Sequence, residues 1–83
     1  MFPLDPVLAV LLFCSSGRYE YLEDIASEYN ATKSRVVHIV AKAEKKGLIS
    51  IYEGLADRCV KITDTGVLKV VEYLNKLEKQ KSK

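Results

Sequence analysis

The sequence predicts a small α+β fold that is mostly α-helical. One segment near the start of the chain is apolar throughout, and three later segments repeat apolar residues at three- and four-residue spacing, which is typical of amphipathic helices. Two short β-branched runs precede the last of these segments and are separated by four turn-forming residues, which indicates a β-hairpin. The chain has 83 residues, enough for one hydrophobic core and too few for two. We therefore expect a single domain, residues 1–83, with a three-helix core, a two-stranded hairpin and a C-terminal helix.

The first predicted helix, residues 6–15, has a clear starting signal. Asp5 is a favourable N-cap, and Pro6 at the first helical position gives up only an amide hydrogen that has no partner there. The following eight residues are all apolar, which is more helix surface than one small core can bury. We therefore expect part of this helix to contact another chain.

Two further helices, residues 21–29 and 32–46, are separated by a short turn. Thr32 is a favourable N-cap for the second of them, and Gly47 is placed to end it as a C′ glycine. Asn30 lies in the turn, where asparagine tolerates left-handed backbone angles better than most residues. The buried stripe of the second helix is predicted to comprise Val36, Ile39, Val40 and Ala43.

The hairpin is predicted over residues 48–62 and the last helix over residues 65–79, with Thr63 or Asp64 as its cap. Strict alternation places one set of hairpin side chains on the core, namely Ile49, Ile51, Val60 and Ile62. It places the other set on the outer face, namely Ser50, Tyr52, Cys59 and Lys61. The terminal lysines are expected to fray into solvent: Lys79, Lys81 and Lys83.

Charge is unevenly distributed along the chain, although the formal net charge is only +2. Residues 1–31 contain one basic and five acidic residues, whereas residues 32–83 contain twelve basic and six acidic residues. This asymmetry indicates a polyanionic partner for one part of the molecule. A solvated lysine-rich surface is an alternative interpretation of equal weight.

Several kinds of function find no support in the sequence. No paired carboxylates, nucleophile motif, phosphate-binding glycine loop or metal-ligand set indicates catalysis, a cofactor or a metal, and His38 is the single histidine. Cys14 and Cys59 form no CxxC motif and are expected to be reduced core thiols, with a disulfide or a redox switch as the alternative. The apolar run is too short to cross a bilayer and lacks the features of a signal sequence. We therefore expect a cytoplasmic protein that is not an enzyme.

The order of the predicted elements is that of a winged helix-turn-helix, and three stretches resemble one family. Residues 25–36, IASEYNATKSRV, resemble the helix-turn-helix of MarR-like and related bacterial and archaeal regulators, including small archaeal or archaeal-virus ones. Residues 44–49, EKKGLI, are similar to the family's charged helix end, glycine and first wing strand. Residues 57–66, DRCVKITDTG, resemble its wing and the entry into its last helix. The resemblance implies a transcriptional regulator that binds double-stranded DNA.

The resemblance also implies roles for the third helix, whose N-terminal end would enter the major groove. Arg35 is the candidate for a bidentate contact with guanine, and Val37 for contact with a thymine methyl group. Ser34 and His38 are candidates for hydrogen bonds to bases or phosphates. Three further residues are expected to contact phosphates: Thr32, Lys33 and Lys42.

The wing is expected to contribute less to DNA binding than this helix. Its loop, residues 54–57, is shorter and less basic than is usual for the resembled family. Arg58 enters the minor groove in one interpretation and pairs with Asp57 in the other, and the two have equal weight. Tyr52 could contact the sugar-phosphate backbone, but an aromatic pair with another tyrosine is the favoured interpretation.

The terminal helices are predicted to mediate self-association. Similar regulators often dimerise through such helices, so a homodimer with twofold symmetry and a pseudo-palindromic DNA site is expected. The predicted interface comprises Val7, Leu11, Val67, Val70, Leu74 and Leu77. Two alternatives remain open: a monomer, and a winged-helix module that binds proteins in a larger assembly instead of DNA.

Overall fold

The computed structural model describes residues 5–81, which contain four helices and three short strands. The predicted fold class, mostly helical α+β with a hairpin wing, is confirmed, with one strand more than predicted. The elements in chain order are α1 (Pro6–Phe13), β1 (Glu20–Tyr21), α2 (Leu22–Glu28), α3 (Lys33–Lys45), β2 (Ile49–Glu53), β3 (Arg58–Ile62) and α4 (Asp64–Lys81).

The strands form an antiparallel sheet in the order β1-β3-β2. β2 and β3 pair as a hairpin, with Ile51 opposite Val60. β1 adds to the other edge of β3, with Tyr21 opposite Cys59. The sequence prediction begins the second helix at Tyr21, whereas Tyr21 ends β1. A two-residue strand is too short to show a periodic pattern, so its pairing with β3 decides its conformation.

The helix boundaries follow the capping signals in the sequence. Asp5 Oδ1 accepts a hydrogen bond from the amide two residues later at 2.9 Å, and Thr32 Oγ1 accepts one from the amide three residues later at 3.2 Å. Both predicted N-caps are therefore confirmed. Asn30 (φ 50°) and Gly47 (φ 75°) adopt the left-handed backbone conformation that the sequence predicts for them. Of the two candidate caps for α4, Thr63 accepts the capping hydrogen bond, from the amide three residues later at 3.1 Å.

Helix α4 is longer than the sequence predicts. It extends from Asp64 to Lys81, so the backbone of Lys79 and Lys81 continues the helix instead of fraying, and Lys83 lies outside the described residues. Many polar residues are distributed along α4. Within residues 5–81, neither α4 nor any other helix combines the length and the apolar composition that a membrane span requires.

A hydrophobic core lies between α1, α2, α3, the inner face of the sheet and the start of α4. The largest side chains in it are almost fully buried: Val10, Leu11, Leu22, Ile25, Val36, Val40, Ile49 and Val60. At its edge the Tyr29 hydroxyl donates a hydrogen bond to the Ala9 carbonyl oxygen at 2.9 Å. This bond holds the end of α2 against α1, so the two helices that precede α3 form one packed unit with it.

Gly66 allows α4 to pack closely on the end of the sheet. A Cβ atom at this position would overlap the Leu48 carbonyl oxygen and lie 2.6 Å from Ile62 Cγ1. We expect Gly66→Ala to lower the free energy of unfolding by about 2 kcal/mol, because overpacking against the backbone outweighs the gain in helix propensity. Urea unfolding measures the change.

The matched control is Asn75→Ala, at an exposed position of the same helix. It should leave the free energy of unfolding unchanged or raise it by about 0.5 kcal/mol. Equal stabilisation by both alanines would contradict the close packing of Gly66.

Candidate nucleic-acid interface

Helix α3 buries one face in the core and exposes the opposite face. Its buried stripe matches the predicted one: Val36, Ile39, Val40 and Ala43. Between α3 and the start of α1 lies an open cleft of about 390 Å³. The cleft is lined from the α3 side by exposed polar residues that the sequence analysis had singled out: Thr32, Ser34, Arg35, His38 and Lys42. The helix therefore places five of the predicted contact residues together on one accessible surface.

Val37 does not stand on this exposed face as predicted. Its side chain is half-buried and packs against the hydrophobic core. An apolar side chain beside the buried stripe gains more by contact with the core than by exposure to water. Its position therefore gives no support to the expected contact with a thymine methyl group.

Lys33 is held by the wing. Its Nζ atom lies 2.6 Å from Asp57 Oδ1, and the Asp57 side chain is only 7% exposed. Asp57 Oδ2 also accepts a hydrogen bond from the Glu23 amide at 3.1 Å, and Oδ1 accepts one from the Arg58 amide at 2.8 Å. One carboxylate thus joins the wing, the start of α2 and the start of α3. The lysine expected at a phosphate is instead part of the contact between the wing and the helix-turn-helix.

Arg58 pairs with Glu53 and not with Asp57, the partner considered in the sequence analysis. Its Nε atom lies 3.5 Å from Glu53 Oε1 across the hairpin, and both side chains are more than half exposed. Asp57 accepts a hydrogen bond from the backbone amide of Arg58 but does not pair with its guanidinium group. An exposed ion pair of this kind contributes little to stability, so the guanidinium can exchange Glu53 for another anion at low cost.

The outer face of the sheet carries an aromatic pair. The rings of Tyr19 and Tyr52 are edge-to-face with centroids 5.4 Å apart, which confirms the interpretation of Tyr52 as one member of a tyrosine pair. Lys61 Nζ lies 5.1 Å from the centroid of the Tyr19 ring, within the range of a cation–π interaction. Tyr19 precedes β1, and because that strand was not predicted, its place on this face could not be predicted either.

Both cysteines are free thiols, but Cys59 is only half-buried and lies outside the hydrophobic core in which it was expected. Cys14 is buried in the core, and burial, with a smaller contribution from the Glu20 charge, raises the pKa of its thiol to about 12. A thiol with so high a pKa carries almost no thiolate near neutral pH and is a poor nucleophile. Among residues 5–81 no group of three or more histidine, cysteine, aspartate or glutamate residues is arranged to hold a metal ion.

Helix α4 carries an exposed apolar stripe, which differs in part from the predicted interface. The exposed apolar residues of α4 are Val67, Leu68, Val71, Leu74 and Leu77. Two of the predicted interface residues, Leu11 and Val70, are only 1% and 6% exposed because they complete the core of this chain. They are therefore not on the surface. Leu68 and Val71 were missed because the prediction followed apolar residues that alternate three and four positions apart, and the body of the protein covers part of that stripe.

Next to this stripe lies an open groove of about 620 Å³ between α1 and α4. Its apolar lining includes Val7, Leu8 and Leu68. The predicted interface residue Val7 thus lies half-buried in a groove that the exposed stripe of α4 borders.

No protein-family model matches the chain, and no curated protein sequence matches it. Solved structures do. MepR, a transcription regulator of the Staphylococcus aureus multidrug efflux pump MepA, has a TM-score of 0.83 at 18% identity, and the match covers 94% of this chain and 60% of MepR. The transcriptional regulator BldR from Sulfolobus solfataricus has a TM-score of 0.72 at 26% identity, with coverages of 90% and 58%. A transcriptional regulator homologue from Pyrococcus horikoshii has a TM-score of 0.81 at 22% identity, with coverages of 92% and 79%.

These matches define the class of fold as a winged helix. More particularly, the chain has the winged-helix fold of MarR-type transcription regulators, as the sequence resemblance implied. It spans between 52% and 60% of the length of most of the solved proteins compared.

The Asp57 contacts predict a specific pH dependence of stability. The hydrogen bond from Lys33 is the largest influence on Asp57, and together with the two amide hydrogen bonds it lowers the pKa of the carboxyl below its ordinary value. A carboxyl whose pKa is lowered on folding stabilises the folded state above its unfolded pKa, and this contribution is lost as the pH falls through the folded value. We therefore expect Asp57→Asn to melt at a lower temperature than the wild type at neutral pH.

The difference in melting temperature between wild type and Asp57→Asn should shrink as the pH is lowered from about 5 to about 2. Circular dichroism melts of both proteins across this range measure it. The control is Glu53→Gln, which removes an exposed carboxylate from the same hairpin and should show a much smaller difference. A difference for Asp57→Asn that stays constant with pH would contradict the charge interaction.

Proposed function

We propose that this chain is a transcriptional regulator that binds double-stranded DNA selectively as a homodimer, with α3 in the major groove. The observation that carries this proposal is the exposed polar surface at the start of α3, set in the winged-helix fold that MepR and BldR share. An α-helix fits the major groove, where base edges present distinct hydrogen-bonding patterns. In this proposal the protein acts in the cytoplasm, on DNA, and is not an enzyme.

Each residue on the α3 surface suits a different part of the duplex. Arg35 has the planar guanidinium that binds guanine in bidentate fashion, and Ser34 and His38 can bond to bases or phosphates. Thr32 and Lys42 are placed for phosphates, which fix the position of the protein without reading the sequence. Arg58, exposed on the wing, is proposed to face the minor groove.

The DNA-binding proposal predicts distinct effects for two cations. Arg35→Ala should reduce the preference for a selected duplex over random duplex by about 1–3 kcal/mol, because it removes a base contact. Lys42→Ala should weaken binding to both duplexes equally, because it removes a phosphate contact. It should also reduce the slope of the logarithm of the association constant K against the logarithm of the salt concentration by about 1. Fluorescence anisotropy across a salt series measures both quantities.

Lys45→Ala is the matched control for Lys42→Ala, since Lys45 is an exposed lysine of α3 that does not line the cleft. It should leave the slope unchanged. Duplex affinity that is absent, or that does not fall as salt rises, would overturn the proposal. In that case the alternative, a winged-helix module that binds other proteins, would be favoured.

The homodimer is supported by the apolar stripe on α4. Exposed apolar patches of this kind commonly mark a protein interface, and a twofold axis beside the helix would bring the stripes of two copies together. The revised interface is proposed to comprise Val7, Val67, Leu68, Val71, Leu74 and Leu77.

Self-association is tested by placing a charge in the stripe. Leu74→Glu should convert the dimer into a monomer of 9.3 kDa, because the interface would bury an unpaired carboxylate. Sedimentation equilibrium measures the mass. Gln80→Glu adds the same charge at an exposed position of α4 outside the stripe and should remain dimeric. A wild-type protein that is already monomeric at all concentrations used would contradict the proposal.

A further inference from the structure

The outer face of the sheet, which points away from the core, exposes three tyrosines. The strand register places Tyr21 and Tyr52 on either side of Cys59, in one row across the three strands. Val60, the next residue of β3, is fully buried, so Cys59 and its row partners lie on the opposite face. Tyr19 precedes β1, and its ring lies against that of Tyr52. The three tyrosines are 42–57% exposed, so much of their surface is open to a ligand.

Close contacts hold these rings in place. The Tyr19 and Tyr52 rings meet edge to face with centroids 5.4 Å apart, an arrangement that aromatic pairs favour. Tyr21 Cε1 lies 3.0 Å from the position that a Cβ atom on Gly54 would occupy, so the ring lies close to the turn where glycine leaves room for it. A side chain that is already held in place loses little conformational entropy when a ligand packs on it.

The outer face of the described sheet is also positively charged. Its outward positions hold one cation and no acid, and with Tyr19 they are Tyr19, Tyr21, Ser50, Tyr52, Cys59 and Lys61. Lys61 lies on the central strand, and its Nζ atom is 5.1 Å from the centroid of the Tyr19 ring. A cation–π contact that is open to water is weak, so the ammonium group can leave the ring for an anion. The face therefore combines aromatic rings with an available positive charge.

This combination fits single-stranded nucleic acid. Unpaired bases expose flat faces that stack on aromatic side chains, and the adjoining phosphates suit a lysine. The bases of a duplex are stacked on each other and offer only their edges in the grooves, so a duplex gains no stacking from these rings. A protein partner fits less well, because lysine is depleted from the centres of protein interfaces, whereas Lys61 lies on the central strand of this face.

We propose that the outer face of the sheet binds single-stranded nucleic acid, with about two or three unpaired bases stacked on Tyr19, Tyr21 and Tyr52 and a phosphate at Lys61. This activity goes beyond duplex binding and does not depend on it. The sheet and α3 both turn their apolar sides to the core, so the tyrosines and the polar residues of α3 lie on separate surfaces. One chain would thus have one surface for a duplex and another for a single strand.

The test uses the full chain and three single-stranded probes of about twelve nucleotides: thymidine DNA, uridine RNA and an abasic DNA strand with the same number of phosphates. The wild type should bind the thymidine strand about tenfold more tightly than the abasic strand, because stacking requires bases. The tighter-bound of the thymidine and uridine strands identifies DNA or RNA as the source of the unpaired bases. The chain contains no tryptophan, so quenching of tyrosine fluorescence reports the contact.

Two substitutions separate stacking from charge. Tyr19→Leu keeps an apolar side chain but removes the ring, so it should bind the thymidine strand about tenfold more weakly and the abasic strand as the wild type does. The conservative variant Tyr19→Phe should stay within about twofold of the wild type for both strands. Lys61→Ala should weaken binding to both strands equally. It should also reduce the slope of the logarithm of the association constant against the logarithm of the salt concentration by about 0.7, because it removes a phosphate contact.

Further variants serve as controls. Tyr73→Leu removes a tyrosine that lies in the groove between α1 and α4 and should leave the affinity for the thymidine strand unchanged. Tyr19→Leu should bind a selected duplex as the wild type does, whereas Lys42→Ala should lose duplex affinity and stay within about twofold of the wild type for the thymidine strand. Melting temperatures measured by circular dichroism show that each variant is folded under the binding conditions.

Each contrary result has a definite meaning. Absence of single-strand binding by the wild type at low salt, or equal affinity for the thymidine and abasic strands, would overturn the inference and leave the duplex proposal intact. Equal loss of duplex and single-strand affinity in Tyr19→Leu would also overturn it, because the two ligands would then share one surface. A fall in the mass of Tyr19→Leu to that of a monomer would make the face an interface between copies instead. A wild type that binds the thymidine strand but no duplex would overturn the proposed function and support this inference.

Discussion

The arrangement of the wing and the helix-turn-helix depends on the contacts of the Asp57 carboxylate. Lys33 and the Glu23 amide both lie far before it in the chain, yet all three meet at one largely buried group. A charge removed from water is costly unless its hydrogen-bonding capacity is filled. Here a lysine and two amides fill it. The carboxylate therefore stabilises this relative position of the wing, α2 and α3, because a displaced wing would lose these contacts.

The sequence was sufficient for those parts of the fold that local chemistry decides. The N-caps at Asp5 and Thr32, the left-handed residues Asn30 and Gly47 and the buried stripe of α3 all follow from interactions within a few residues. Capping, backbone sterics and helical periodicity act over that range, so the printed sequence contains the required information. The same holds for the polar residues of the α3 surface, which are the outward positions of a helix whose inward positions are apolar.

What the sequence did not predict depends on contacts between distant segments. Nothing near Tyr21 indicates a strand, because its partner lies on β3. Nothing near Lys33 indicates an acid, because Asp57 approaches it only when the wing folds back. Leu11 was expected on the surface for a related reason. A helix that is apolar all round does not reveal which of its faces meets the core.

The number of phosphate contacts that one copy can make connects self-association with DNA binding. Because Asp57 occupies Lys33, Lys42 is the lysine that the α3 surface offers to a phosphate in one copy. Each phosphate contact contributes a small electrostatic increment, so one copy has limited affinity for a duplex. Two copies joined through α4 double the number of contacts, and binding of the first raises the effective concentration of the second at the DNA. In the proposed complex the apolar stripe on α4 is therefore as necessary for selective binding as the polar surface of α3.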